Sequence, residues 1–271
     1  MPNPRAGGAG RRPTMKEVAA LAGVGIKTVS RVVNGEPMVT EATAQRVWDA
    51  VERLDYHLDQ RAGSLRRSDG ATSSIALLVS DVANPFAGEL HRGVEDVARA
   101  RGVAVLASSL DEDPEREAEV IRDSIRRHVD GIILDTVSHD PATLSRVLGL
   151  GVPTVLVDRA LPGVDTDCVT SDTRAAAARA TRHLLDGGHR RLALLTERLI
   201  VPTAVERRDG FLDALGEAGL REQDALLVSG LTSAERAERA LAGLLTSPRP
   251  PTAVLSGQNL IAEGAVRALW R

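Results

Sequence analysis

TMKEVAALAGVGIKTVSRVVN, residues 14–34, reads as two short helices joined by a tight turn. Thr14 can cap the first helix, with Glu17 three residues on reaching back in a capping box. Val18, Ala19 and Ala22 supply a small apolar face. Gly23 suits the left-handed residue that ends the helix, and Val24 plugs the corner. At about 100° per residue, the second helix (26–34) gathers Val29, Val32 and Val33 on one side. Lys27, Ser30 and Arg31 gather on the other, with Ile26 at the border.

Lys27 and Arg31 lie four residues apart near the start of that helix, where a helix-turn-helix offers side chains to base edges in the major groove. The arginine fork suits O6 and N7 of guanine. A solvated amphipathic helix in a small bundle would carry the same two charges without meaning. The capping box, glycine turn, valine seam and basic face within one short stretch favour DNA.

The rest of the chain fits one DNA-binding end on a larger body. Residues 1–70 carry 11 Lys plus Arg against 8 Asp plus Glu, and the remainder carries 23 against 29, so a basic head precedes an acidic body. Hydrophobic residues make up 43% of the chain but aromatics only 2%, so the core must be built from Leu, Val, Ile and Ala. Cys168 is the only cysteine, which excludes an intrachain disulfide and a cysteine zinc site and suits a reducing cytoplasm. No apolar run reaches the length of a membrane span, so no membrane partner is expected, and residues 1–12 read as a disordered basic arm.

From Ser74 onward, short apolar runs alternate with amphipathic ones. Strands are expected at 74–80, 103–109, 131–136, 153–158, 191–196, 225–229 and 252–256. Helices are expected to open at Pro85, Pro114, Pro141, Thr173 and residues 203 and 233, with a last one at the chain end. DCVTSD (167–172) reads as a crossover without a strand. Such alternation predicts parallel sheets with helices on both faces. There is no G-x-G-x-x-G after the first strand and no G-K-S or G-K-T, so no nucleotide cofactor is expected. No nucleophile elbow or metal-ligand spacing appears and the six histidines are scattered, which argues against an enzyme.

The order T-x-K-E-V-A-x-x-A-G-V-x-x-x-T-V-S-R-V-V-N-G, continued by Val39, Thr40, a helix at 41–54 and Tyr56, resembles the amino-terminal signature of the LacI/GalR family of bacterial transcription regulators. The likeness extends over the body. It implies an all-α helix-turn-helix head (13–57), a hinge and linker (58–73), and an α/β body like the periplasmic sugar-binding proteins. That body has two parallel-sheet subdomains at 74–170 and 171–271, the second incomplete because the family continues past the point where this chain ends, in LWR. Ile26, Lys27 and Arg31 fall on base-reading positions, and Thr28 and Ser30 on backbone or packing positions. Thr14, Asn34 and Tyr56 belong to the same DNA-binding set. Gly25 stands where the family usually has a serine that caps the helix and touches a phosphate.

In the hinge, Leu65 matches the leucine that the family wedges into the minor groove, and Ala62 and Ser64 match small residues that let two hinge helices pair. Leu58 and Gly63 replace a usual proline and arginine. Glycine costs about 1 kcal/mol in a helix, so a weakened hinge helix or a plain flexible linker are both open.

The resemblance places a small-molecule effector, a sugar by family habit, between the subdomains. Phe86 matches an aromatic set against the ligand, though a core phenylalanine is an equal reading. Asp158, Arg159 and Arg207 match polar ligand-contacting regions, and Gln258 and Asn259 stand where the family has asparagine followed by aspartate. The implied function is a homodimeric, sequence-specific repressor that binds operator DNA under effector control. The alternative is a degenerate or truncated paralogue, a sugar-binding module without operator binding.

Overall fold

The computed structural model describes residues 13–33, 35–56 and 72–270. The expectations for the arm at 1–12, for Asn34, and for Leu65 and the rest of the hinge up to residue 71 lie outside the described residues. The chain divides into two compact units, Met1–Gly70 and Ala71–Arg271.

The first unit holds three helices, α1 (Met15–Ala22), α2 (Ile26–Val33) and α3 (Glu41–Leu54). The Glu17 carboxylate accepts from the Thr14 amide at 2.7 Å and from its hydroxyl at 2.8 Å, fastening the start of α1. Gly23 ends α1 with φ +66, a conformation that costs an L side chain energy but glycine nothing. Val18, Ala19 and Ala22 of α1, Val29 and Val32 of α2, and Val47 and Ala50 of α3 form one buried core. Val24 and Tyr56 pack on its edge. Small side chains let these short helices approach closely, which a unit of this size needs to close a core whose buried residues are all Val and Ala.

The second unit contains two parallel sheets. The first has strands β1 (Ser74–Val79), β2 (Ala104–Ser109), β3 (Gly131–Leu134), β4 (Thr154–Val157) and β5 (Asp167–Val169) in the order β2-β1-β3-β4-β5. Helices α4 (Pro85–Ala100), α5 (Pro114–Arg126) and α6 (Pro141–Gly149) connect successive strands. Alternation along β1 explains its burial on both faces. Ala76 and Leu78 join Ile121 and Leu144 on one side, while Leu77 and Val79 join Ala87 on the other. Each of these helices starts with proline after an Asn or Asp whose carboxyl or amide oxygen accepts an early amide: Asn84 from Phe86, Asp113 from Glu115 and Asp140 from Ala142.

The second sheet, β7-β6-β8, comprises β6 (Leu192–Leu195), β7 (Leu226–Val228) and β8 (Ala253–Ser256). Helices α7 (Thr173–Asp186) and α8 (Pro202–Glu217) cover one face through Ala178, Leu185, Phe211 and Leu215. Helices α9 (Ala234–Leu245) and α10 (Asn259–Leu269) cover the other through Leu241, Ile261 and Ala265.

One expected element needs correction. Asp167–Val169, read as part of a plain crossover, is a strand that pairs parallel with Val155–Val157. All three of its residues are exposed at the sheet edge, so it lacks the apolar run that marks the inner strands. Only its ladder with β4 defines it.

Candidate functional sites

In the head, α2 turns its two faces to different surroundings. Val29 is fully buried and Val32 nearly so, while Ile26, Lys27 and Arg31 are exposed and Thr28 and Ser30 half-buried. The Arg31 Nε lies 3.9 Å from the Glu36 carboxylate, an exposed pair that constrains the guanidinium little. A side chain at Gly25 would meet nothing within 4 Å. Of the head residues singled out in the sequence, Ile26, Lys27 and Arg31 share one open surface. Thr14 is engaged in its capping box, and Tyr56 packs against the core.

In the body, the carboxyl ends of both sheets face a cleft with two adjoining chambers, as expected for open parallel sheets. The first, about 460 Å³, is walled by polar groups: Ser80, Asp81 and Asn84 after β1, Asp111 and Glu112 after β2, and Arg159 after β4. From the other sheet come Glu197 and Arg198 after β6, Thr232 after β7 and Gln258 after β8. The second, about 360 Å³, is walled by Val137, Leu161, Pro162, Val201 and Pro202 together with the polar Thr136, Ser138 and His139. It shares Glu112, Arg159, Arg198 and Val201 with the first.

Arg159 forms the partition between the chambers and is held from three sides. Its Nη2 and Nη1 donate to the two Glu112 oxygens at 2.7 and 3.1 Å, Nη1 also reaches the Thr136 carbonyl at 3.4 Å, and Nε faces Asp135 Oδ1 at 3.3 Å. These acids raise the arginine's pKa despite its burial. Burial pushes the Asp135 carboxyl up to about 6, with Arg159 and an amide hydrogen bond from Ser80 pulling it back only in part. Nearby, the buried Glu117 carboxylate accepts from the Thr136 hydroxyl and from the amides of Val137 and Ser138, which fixes the loop after β3.

The effector residues singled out in the sequence divide. Arg159 and Gln258 line the polar chamber. Gln258 caps α10 by accepting from the Leu260 amide through Oε1, and among the described residues its Nε2 has no partner. Asn259 lies across the cleft from Asn84, whose Oδ1 accepts both from the Asn259 Nδ2 at 3.0 Å and from the Phe86 amide. Arg207 donates to Glu197 at 3.1 Å and lines a separate recess beside Ser171 and Gly257. Asp158 sits in a left-handed conformation, φ +64, outside both chamber walls. Burial raises its pKa, and Arg159 and Arg207 oppose the rise. Phe86 occupies the first turn of α4, 38% exposed, and walls neither chamber.

Asp81, Glu112, Asp135, Glu197, Arg198 and Thr232 were not singled out in the sequence. Each follows a strand end within a few residues, the one signal that marks them.

Among the described residues no helix is long and apolar enough to cross a membrane. Residues 14–59 match the model of bacterial regulatory proteins of the lacI family. Residues 72–271 match that of periplasmic binding proteins and the sugar binding domain of the LacI family. The chain is 34% identical over 256 residues to the HTH-type transcriptional regulator GalR of Escherichia coli (strain K12), covering 94% of this chain and 74% of that protein. It is likewise 34% identical over 259 residues to the ribose operon repressor of the same organism, covering 95% and 78%. Among solved structures, the lac repressor dimer bound to operator and the anti-inducer ONPF aligns with a TM-score of 0.83. That alignment covers 96% of this chain and 78% of the other at 24% identity, a likeness of fold.

Proposed function

The chain belongs to the LacI family of bacterial regulatory proteins, and from that membership we propose that it is a cytoplasmic homodimeric repressor whose grip on operator DNA is set by a sugar in the cleft. It is a regulator rather than an enzyme. The observation that carries the DNA reading is α2, which buries Val29 and Val32 while leaving Lys27 and Arg31 exposed one turn apart. In this reading Ile26, Lys27 and Arg31 meet base edges in the major groove. Thr14, Thr28, Ser30, Asn34 and Tyr56 position the head on the phosphates, and Leu65 enters the minor groove. Two-fold symmetry makes the operator a near-palindrome.

The polar chamber is the effector site in this reading. It is bounded by side chains from both sheets, so a ligand touching Arg159 on one side and Gln258 on the other favours the closed cleft over the open one. Only such a difference in affinity can shift the balance between DNA-binding states. Asn84 and Asn259, already bonded across the cleft, support closure.

Fluorescence anisotropy against a randomised duplex pool, across a salt series, tests the proposal. The chain is expected to select a palindrome with a steep salt dependence. Arg31→Ala is expected to weaken the selected site by about 1–3 kcal/mol and to leave non-specific binding nearly unchanged. An equal loss on all sequences would contradict base reading, and sugar binding without operator selection would favour a binding module that does not regulate.

A further inference from the structure

Among the described residues the body begins at Thr72, two residues ahead of β1, and one side chain gathers the first polar groups of that segment. Asp130, the residue before β3, accepts from the Thr72 amide through Oδ1 at 2.7 Å and from the Ser74 amide through Oδ2 at 3.2 Å. The Thr72 hydroxyl lies 3.1 Å from the same Oδ1 and 2.9 Å from the His128 carbonyl, which share its one proton. Burial alone would raise the Asp130 carboxyl, but the hydrogen bonds from Thr72, Ser74 and Ser73 together outweigh it and hold the group below its ordinary value. The clasp is therefore ionised at neutral pH. Two of its residues, Ser73 at φ +54 and His128 at φ +58, adopt left-handed backbone, which a non-glycine residue keeps only where its surroundings fix it.

The sheet does not depend on this clasp. β1 pairs with β2 from Ser74 to Val79 and with β3 from Ile75 to Leu78, and its residues from Ala76 to Val79 are buried. The Ser73 carbonyl accepts from the Ala104 amide at 2.8 Å and the Ser74 carbonyl from the Asp130 amide at 2.7 Å, bonds that no change of side chain removes. Thr72 lies one residue beyond these ladders, and its amide is held by the Asp130 carboxylate. Truncating Asp130 thus releases Thr72 and leaves the strand in place.

β1 runs from the clasp to Ser80 and Asp81 on the chamber wall, and β3 runs from Asp130 to Asp135, the partner of Arg159. Both are inner strands of one sheet, so clasp and chamber wall, roughly 20 Å apart along β1, belong to one rigid layer. Thr72 is also where the chain that carries the head joins that layer. We propose that Asp130 is a positioning residue for operator binding: by fixing Thr72 to the first sheet, it lets the body set the separation at which two heads meet DNA. This rests on the dimeric repressor reading above. With the clasp open, the freed residues add to the connecting segment, and a longer connection spans a wider range of separations with less preference among them.

Binding of the whole chain to its selected palindrome, with base pairs added to or removed from the centre, tests this, alongside a duplex with one half-site scrambled. Each base pair turns one half-site by roughly 35° relative to the other. The native chain is expected to prefer one separation over its neighbours by about tenfold or more. Asp130→Ala is expected to lose affinity at that separation, narrowing the preference to about threefold or less, and to bind the single half-site as the native chain does. Asp130→Asn keeps one carbonyl oxygen for the Thr72 amide, so it is expected to fall between the two, and it carries the test if the alanine variant does not fold. An unchanged preference would overturn the positioning role. So would an equal loss at every separation and on the single half-site, which would show that Asp130 serves stability alone. A native chain that selects a palindrome but is indifferent to its separation would overturn the proposal and leave the repressor reading standing, whereas one that selects none would overturn both.

Discussion

Asp135 carries the largest tension at the level of single residues. It is nearly buried, it faces Arg159 at 3.3 Å, and burial still pushes its carboxyl up to about 6. A carboxyl whose folded pKa lies above the unfolded value near 3.9 contributes stability that is complete below about pH 4 and is lost as pH rises through about 6. Urea denaturation at pH 4 and pH 7 is therefore expected to show the native chain losing up to roughly 3 kcal/mol relative to Asp135→Asn over that interval. A difference independent of pH, or one of opposite sign, would mean that Arg159 outweighs burial. The charge is retained because it orients Arg159, whose other face Glu112 holds. Removing Arg159 would leave the buried Asp135 carboxyl without a counter-charge, whereas removing Asp135 leaves Arg159 paired with Glu112.

Two helical glycines set how closely the helices of the second sheet approach. A Cβ on Gly210 in α8 would lie 2.0 Å from the Arg174 carbonyl oxygen at the start of α7, and one on Gly264 in α10 would lie 2.0 Å from that of Ala234 in α9. On either face of the sheet, a helix pair therefore touches backbone to backbone at one glycine. In an open helix, Gly→Ala gains about 1 kcal/mol. At Gly210 the obstacle is backbone that cannot rotate away, so Gly210→Ala is expected to destabilise the body by about 2–3 kcal/mol. Gly216→Ala in the same helix has open space around it and is expected to be neutral or stabilising. Thermal denaturation of the two variants separates packing from helix propensity, since propensity alone would move both in one direction.

For the molecule as a whole, the decisive feature is that its cores are separate. Among the described residues, the core of the head draws on residues 15–56 and the cores of the body on residues from Ala76 to Ala268. Units with separate cores need not unfold together. Scanning calorimetry is expected to resolve two transitions, with a bound sugar raising only the one that belongs to the body, by mass action on its folded state. A single transition shifted as a whole by sugar would show that the units are thermodynamically coupled without any DNA.

Local pattern was enough for the capping box at Thr14, the turn at Gly23, the valine seam of α2 and the helix starts at Pro85, Pro114 and Pro141. Each depends on residues within one turn of helix or one strand end, so neighbours in the chain carry the whole signal. The inner strands were legible because burial on both faces demands unbroken apolar runs, whereas β5, exposed at the edge, left no such trace. Which polar groups share the cleft was decided only by the tertiary structure. Glu112, Arg159 and Glu197 are far apart in sequence, and a lone charge at a strand end reads the same whether it binds a ligand, pairs with a neighbour or faces water. Packing two sheets with their carboxyl ends together is what turned Arg159 into a partition, bonded Asn84 to Asn259, and left Phe86 outside the chambers. Side-chain contacts between distant strands follow from that packing, and no periodicity along the chain encodes them.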